Sequence, residues 1–275
     1  MSPNDHRSQH PHQHSHAAPS LLETLLELDS VVHQGLLDDA LDAVAQAAPT
    51  DAVRRVLDVG AGTGAATFRL SDRYPEAEVI ALDASRAMTR RIAAHAERAG
   101  NRRVRAVNQP LLATASDPAS VDLVWAASVF HEFDQPAREL AVLSELIRPG
   151  GVLAILEMDA PPHVLPTGYR DLESRLRRLA QADVPPPEWT DQLREAGFEL
   201  LAEHRLGSDQ DLPADGPGGA YARAELHRLA LHAAAGLDAD ENAALSRLLH
   251  GGLDAAVLPR VHIRGTRSLW IARRP

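Results

Sequence analysis

Apolar positions change period several times along the 275-residue chain, and each change marks an element. From Ser20 to Ala48, leucine and valine (Leu21, Leu22, Leu25, Leu26, then Leu36, Leu37, Leu41 and Val44) recur at spacings of three and four, the mark of helices burying one face. Two helices are expected there, broken near Asp29 and ended by Pro49 and the Thr50-Asp51 pair. The stretch before them, MSPNDHRSQHPHQHSHAAP, is polar and aperiodic. Residues 1–19 are therefore expected to be a disordered tail carrying His6, His10, His12, His14 and His16.

Beyond Arg54 short apolar runs alternate with helical stretches. VLDVG reads as a buried strand, Ala65 to Arg73 as a helix, EVIALDA as a second strand, and Arg86 to Ala99 as a helix ending at Gly100. VRAVN and SVDLVWAAS give a third and a fourth strand, Pro136 to Ile147 a helix, and GVLAILEM a fifth strand after the turn RPGG. Such an alternation builds βαβ units, so the predicted fold is α/β, a doubly wound and mostly parallel sheet.

After Met158 the pattern loosens. A helix is expected from Tyr169 to Ala182, a proline brake at Pro185-Pro186-Pro187, a short helix from Trp189 to Ala196, and a strand FELLAEHRL. The run GSDQDLPADGPGG reads as a polar loop leading into two helices, Tyr221 to Ala235 and Ala239 to His250. Asp238 and Glu241 form a capping-box pattern before the second of these, and TRSLWIARR reads as a last strand. The expected organisation is a tail (1–19), N-terminal helices (20–49) and one domain (50–275) with a helical insertion or lid at 207–262.

Composition narrows the partners. A net charge of −10 without a basic stripe argues against nucleic acid and for small molecules. The chain has no cysteine, which removes disulfides, thiolate metal sites and a cysteine nucleophile. No run approaches the roughly 20 apolar residues of a membrane span, so no membrane partner is expected and a cytoplasmic location is. A homodimer is compatible with the sequence.

The loop VLDVGAGTG carries the candidate chemistry. Gly60, Gly62 and Gly64 permit a tight strand-to-helix turn and let a ligand reach backbone amides. Gly60, Gly62 and Ala65 also fit the pattern of nicotinamide- and flavin-binding folds. Two acids discriminate. Asp58, just before the loop, would repel a pyrophosphate and attract an ammonium group, while Asp83, ending the second strand, can accept bonds from both ribose hydroxyls. A ribose with a cationic head and no phosphates describes S-adenosylmethionine.

From Arg54 to Met158 the chain resembles the class I S-adenosylmethionine-dependent methyltransferases, through VLDVGAGTG, VIALDAS with Met88, VDLVWAASVFHEF and LIRPGGVLAILEMD. That resemblance implies an antiparallel seventh strand inserted beside the fifth, with the sixth outside it. It further implies that the Gly60 to Gly64 loop holds the methionine moiety, Asp83 the ribose, Ala84 and Met88 the adenine faces, and the carbonyl region near Ala126 the ammonium group. The chain departs from the family in NQPL, where Pro110 stands in place of an acid that would meet the adenine amino group; the Gln109 amide oxygen or a nearby backbone carbonyl could replace it, which makes Asn108 and Gln109 candidates there. The insertion and the N-terminal helices are expected to roof the acceptor pocket.

Methyl transfer by direct displacement needs chiefly positioning and desolvation, with a base only for acceptors that must lose a proton. His131, directly after the fourth strand, suits a general base or a packing role, with Glu132 orienting it or facing solvent. Glu157 and Asp159, ending the fifth strand, could take a proton, recognise a cationic acceptor group or brace a loop. His33, Trp189 and Arg264 are pocket walls or ordinary packing. No histidine and carboxylate cluster has metal-ligand spacing on one helix, so a metal-independent reaction is expected. The leading reading is a methyltransferase acting on oxygen, nitrogen or carbon of a small-molecule acceptor. The competing ones are an NAD(P)-dependent oxidoreductase, which lacks a Tyr-x-x-x-Lys pair in a chain without lysine, and a non-catalytic cofactor-binding partner protein of the same fold.

Overall fold

The computed structural model describes residues 19–113, 120–180, 188–249 and 259–275. The histidine-rich tail, the proline brake at Pro185–Pro187 and the expected helix end at His250 lie outside the described residues. Seven strands form one sheet: β1 (Arg55–Val59), β2 (Glu78–Asp83), β3 (Val104–Asn108), β4 (Val121–Ala127), β5 (Ile147–Met158), β6 (Glu199–Pro213) and β7 (Arg260–Arg273). Their order is β3-β2-β1-β4-β5-β7-β6, with β7 antiparallel to both neighbours and the first five parallel. This is the topology that the resemblance implies.

Because successive residues of a strand point to opposite faces, each apolar strand feeds two cores. Val56, Leu123, Trp125, Leu156, Leu269 and Ile271 pack beneath α2 (Gln34–Ala47) and α3 (Ala65–Arg73). Leu57, Val124, Ala126, Ile155 and Trp270 pack against α5 (Pro136–Leu146) and α7 (Thr190–Glu195) on the other side. Helix α4 (Arg86–Arg98) lies on β2 and β3, with Ser85 capping it through a bond from the Met88 amide.

Three local expectations are corrected. The N-terminal helices break at His33, between α1 (Pro19–Val32) and α2, and not near Asp29. Aspartate inside a helix costs under about 1 kcal/mol relative to alanine, and here its side chain is engaged elsewhere. The polar run 207–213 is strand rather than loop: β6 pairs with β7 from Glu199↔Arg273 to Pro213↔Arg260. Half-buried Ser208, Gln210 and Leu212 alternate there with exposed Gly207, Asp209 and Asp211, so one face of this outer ribbon meets water and its composition hides its period. The helix expected from Tyr221 begins earlier, as α8 (Pro217–Ala233).

Past the end of β5, the ribbon carries α8 and α9 (Ala239–Arg247), the latter opened by the Asp238–Glu241 capping box. Helices α1, α6 (Arg170–Leu179) and α8 share a core of their own with the ribbon, containing Val32, Leu176, Tyr221, Leu226, Val261 and Ile263. Among the described residues no helix is long and apolar enough to cross a membrane.

Candidate functional site

All three loop glycines are left-handed, with φ of 67° at Gly60, 53° at Gly62 and 87° at Gly64. Two are also sterically required. A Cβ at Gly60 would lie 2.4 Å from Val129 Cγ2, and one at Gly64 would lie 2.8 Å from Ile92 Cγ1. Gly62 differs: the nearest atoms to a Cβ there are 3.9 Å away, so its bare backbone faces open space.

The loop is tied to β2 through Asp83. Gly62 N–H donates to Asp83 Oδ2 at 2.8 Å and Ser85 N–H to Oδ1 at 2.7 Å, leaving the carboxylate pinned at the strand end with further lone pairs available. Asn108 Nδ2 donates to the carbonyls of Asp83 and Ala84 at 3.1 and 2.9 Å, so it braces the β2–β3 edge. Ala84 is exposed, Met88 is buried at the head of α4, and Gln109 is half-buried just past β3.

Asp58 is buried on the α2 face of β1 and accepts a bond from Thr67 Oγ1 at 2.5 Å. Burial raises its pKa to about 7; the Thr67 bond opposes the rise and the nearby Asp83 charge adds to it. A cation brought beside it would drive it to the ionised form.

Above the loop lies a cavity of about 100 Å³. Its floor is Asp58, Gly60, Gly62, Ala127, Ser128 and Leu156; its roof is Leu26, Asp29 and His33 at the helical N-terminal end, and Arg267 closes one side. Ala127 and Ser128 line it, while the Ala126 side chain belongs to the opposite core. His33 is buried in the roof, where burial lowers its pKa.

His131 and Glu157 belong together, but not to that cavity. Leu156 lines the cavity and Glu157, the next residue, points to the other face. The buried Glu157 accepts from the amides of Val129 (3.0 Å) and Phe130 (2.7 Å) through one oxygen and meets His131 Nδ1 at 2.8 Å through the other. His131 Nε2 lies 3.2 Å from Glu132. Bonds donated to Glu132 and then Glu157 outweigh burial and raise the half-exposed ring to about 10, so at neutral pH it is an imidazolium. This turn contains Ser128 at φ 51°, a left-handed conformation costing a non-glycine residue about 1–2 kcal/mol. Ser128 N–H bonded to Leu156 O at 2.8 Å, with the two amides on Glu157, offsets that cost.

Asp159 is buried against Ser268 Oγ (2.7 Å) and Arg205 (2.9 Å), which brace the sheet beyond β5. Trp189 packs edge-on against Phe130 inside the α5-side core. Arg264 lines a separate cavity of about 580 Å³ with His163 and Arg177.

The sequence reading missed Arg267, Tyr221 and the role of Asp29. Arg267 Nη2 donates to both Asp29 oxygens, at 2.7 and 2.5 Å, and the Tyr221 hydroxyl donates to Asp29 Oδ1 at 3.1 Å. One signal was available: in TRSLWIARR, Arg267 falls at a period-two position with Leu269 and Ile271, where a charge is out of place.

The sequence model of a methyltransferase domain matches residues 57–153. The chain is 32% identical over 176 residues to trans-aconitate 2-methyltransferase of Rhodopseudomonas palustris, covering 61% of this chain and 66% of that enzyme. To the trans-aconitate 2-methyltransferase of Azoarcus sp. it is 30% identical over 230 residues, covering 77% of this chain and 82% of that enzyme. The fold is that of the geranyl diphosphate C-methyltransferase of Streptomyces coelicolor A3(2), solved with S-adenosyl-L-homocysteine, at 14% identity and a TM-score of 0.53, covering 91% of this chain and 82% of that one.

Proposed function

The chain belongs to the class I S-adenosylmethionine-dependent methyltransferases of the small-molecule type, and on that premise we propose how its residues divide the work. The observation that carries the reading is the glycine cradle, in which the left-handed Gly62 presents its backbone to open space while its amide holds the Asp83 carboxylate. Family membership displaces the nicotinamide-dependent reading.

In this proposal the Gly60 to Gly64 backbone and Asp58 hold the amino-acid end of the donor, the buried carboxylate matching its ammonium group. Asp83 binds the ribose, Ala84 and Met88 flank the adenine, and Gln109 meets its amino edge. Asn108 positions the Asp83–Ala84 backbone. The sulfonium of bound S-adenosylmethionine supplies an electrophilic methyl group. The acceptor atom forms its bond to that carbon as the carbon–sulfur bond breaks, and the protein contributes alignment and exclusion of water.

His131 does not serve as a resting base here, because it is an imidazolium whose two N–H groups are each held by a carboxylate. Glu157 acts as a positioning residue: it shapes the 128–131 turn, whose Ser128 lines the cavity and whose Val129 packs under Gly60.

The acceptor is a small molecule, and trans-aconitate, the acceptor named for two relatives, is the first to assay. Calorimetry with S-adenosylhomocysteine and NADH, followed by transfer of labelled methyl to trans-aconitate and a metabolite panel, tests the reading. Micromolar binding of S-adenosylhomocysteine and label in an acceptor are expected. Binding of NADH alone would reject it.

A further inference from the structure

Arg267 is nine-tenths buried in β7, on the face it shares with Leu269 and Ile271. A guanidinium removed from water to that degree needs an anion, because the loss of hydration is not recovered from aliphatic neighbours. The anion is Asp29 of α1, with both its oxygens on Arg267 Nη2 and the Tyr221 hydroxyl steadying one of them.

This pair stands at the wall of the cavity above the glycine loop. Small-molecule sites usually measure about 300–1,000 Å³, whereas the space here is about 100 Å³. Leu26, Asp29 and Ser30 of α1 line this space, so a ligand entering it beside the donor meets the Asp29–Arg267 pair. Displacing Asp29 would leave Arg267, held in a strand between β5 and β6, without its counter-charge.

We propose that Arg267 is the receptor for a carboxylate of the methyl acceptor, and that Asp29 is a built-in stand-in for that carboxylate while the site is closed. This rests on the methyltransferase reading and narrows it: the acceptor is a carboxylic acid whose anion replaces Asp29. A neutral acceptor that displaced Asp29 would leave Arg267 without a counter-charge and is disfavoured by that cost. The donor's own carboxylate has the same chemistry, so the test separates the two sources.

The experiment is calorimetry on the full chain saturated with S-adenosylhomocysteine, titrated with trans-aconitate, with other di- and tricarboxylates of similar size, and with the methyl esters of each. The natural protein should bind an acid and not its fully esterified form. Asp29→Asn, which removes the competing anion, should tighten acid binding about tenfold, and Arg267→Gln should weaken it about a hundredfold, as loss of a charge-assisted pair does. Arg267→Lys, which keeps the charge and loses the fork, should fall between. Thermal melts report folding throughout, and affinity for S-adenosylhomocysteine is measured alongside, because both residues line the cavity assigned to the donor. Equal binding of acid and ester, no acid bound by any form, or full acid affinity in Arg267→Gln would overturn the proposal while leaving the methyltransferase reading intact. A selective loss of S-adenosylhomocysteine in Arg267→Gln with the fold retained would assign the arginine to the donor and overturn it too. If neither Arg267 variant folds, the acid-against-ester comparison on the natural protein and the Asp29→Asn shift decide. Failure of the natural protein to bind S-adenosylhomocysteine would sink both readings.

Discussion

Glu157 Oε2 lies 2.8 Å from His131 Nδ1, and the other oxygen of the same buried carboxylate holds the amides of Val129 and Phe130. One side chain thereby sets both the shape of the turn after β4 and the charge of the imidazole that ends it. Glu157→Gln keeps the volume but weakens charge-assisted bonds, and a destabilisation of about 1–3 kcal/mol is expected. Thermal melts give the stability change, and NMR titration of His131 should give a pKa well below the parent value. An unmoved histidine pKa would refute the pairing.

The same pair predicts a pH dependence. The folded pKa of His131 is raised to about 10 from an ordinary 6.5, so its contribution is fully present below about 6.5 and is lost as pH rises through 10. Solvent screening reduces its size, because the ring is half exposed. Stability of the natural protein should decline across that window more steeply than that of His131→Asn, in urea titrations at a series of pH values. Parallel curves would contradict the assignment.

Asp58 titrates with the opposite consequence for ligands. Its pKa is raised to about 7 by burial, so the folded protein favours the neutral acid, and the stabilisation present at low pH is lost between 3.8 and 7. A ligand ammonium needs the carboxylate. Affinity for S-adenosylhomocysteine should therefore fall by up to about tenfold per pH unit below 7 and level off above it. Asp58→Asn should weaken binding and flatten the profile, as read by calorimetry from pH 5.5 to 8.

Asp83→Ala removes the proposed ribose acceptor and frees the Gly62 and Ser85 amides. Each charge-assisted bond contributes about 1.5–3 kcal/mol, so the loss of affinity for S-adenosylhomocysteine should be at least tenfold. Calorimetry measures it, and an unchanged affinity would reject the role.

Gly60→Ala combines a forced left-handed φ of 67° with a Cβ only 2.4 Å from Val129. A destabilisation of about 1–3 kcal/mol is expected from strain and overpacking. Adding Val129→Ala should relieve the clash and recover part of the loss, leaving the φ strain. No rescue in denaturant melts would mean that the contact is not the cause.

The parallel half of the sheet was legible because its signals are local. Strands buried on both faces are short apolar runs, and the glycine loop between β1 and α3 can be written in few other residues. Predicted and observed bounds coincide for α3 (Ala65–Arg73) and β3 (Val104–Asn108). The outer ribbon was harder to read, since β6 has a wet face and its Gly207–Pro213 half carries the residues of a loop. His131 was visible as a candidate, but its charge depends on Glu157, 26 positions away, as well as on its neighbour Glu132.

By itself the sequence determined the order of elements, the glycine cradle and the acid at the end of β2, because hydrophobic period, glycine backbone freedom and carboxylate chemistry are properties of neighbouring residues. Only the tertiary structure decided which charges meet. Asp29 and Arg267 are 238 positions apart, and it is the antiparallel insertion of β7 and the packing of α1 against α8 that bring them together over the loop. Electrostatic matching in a dry interior depends on distance in space, which no local pattern encodes.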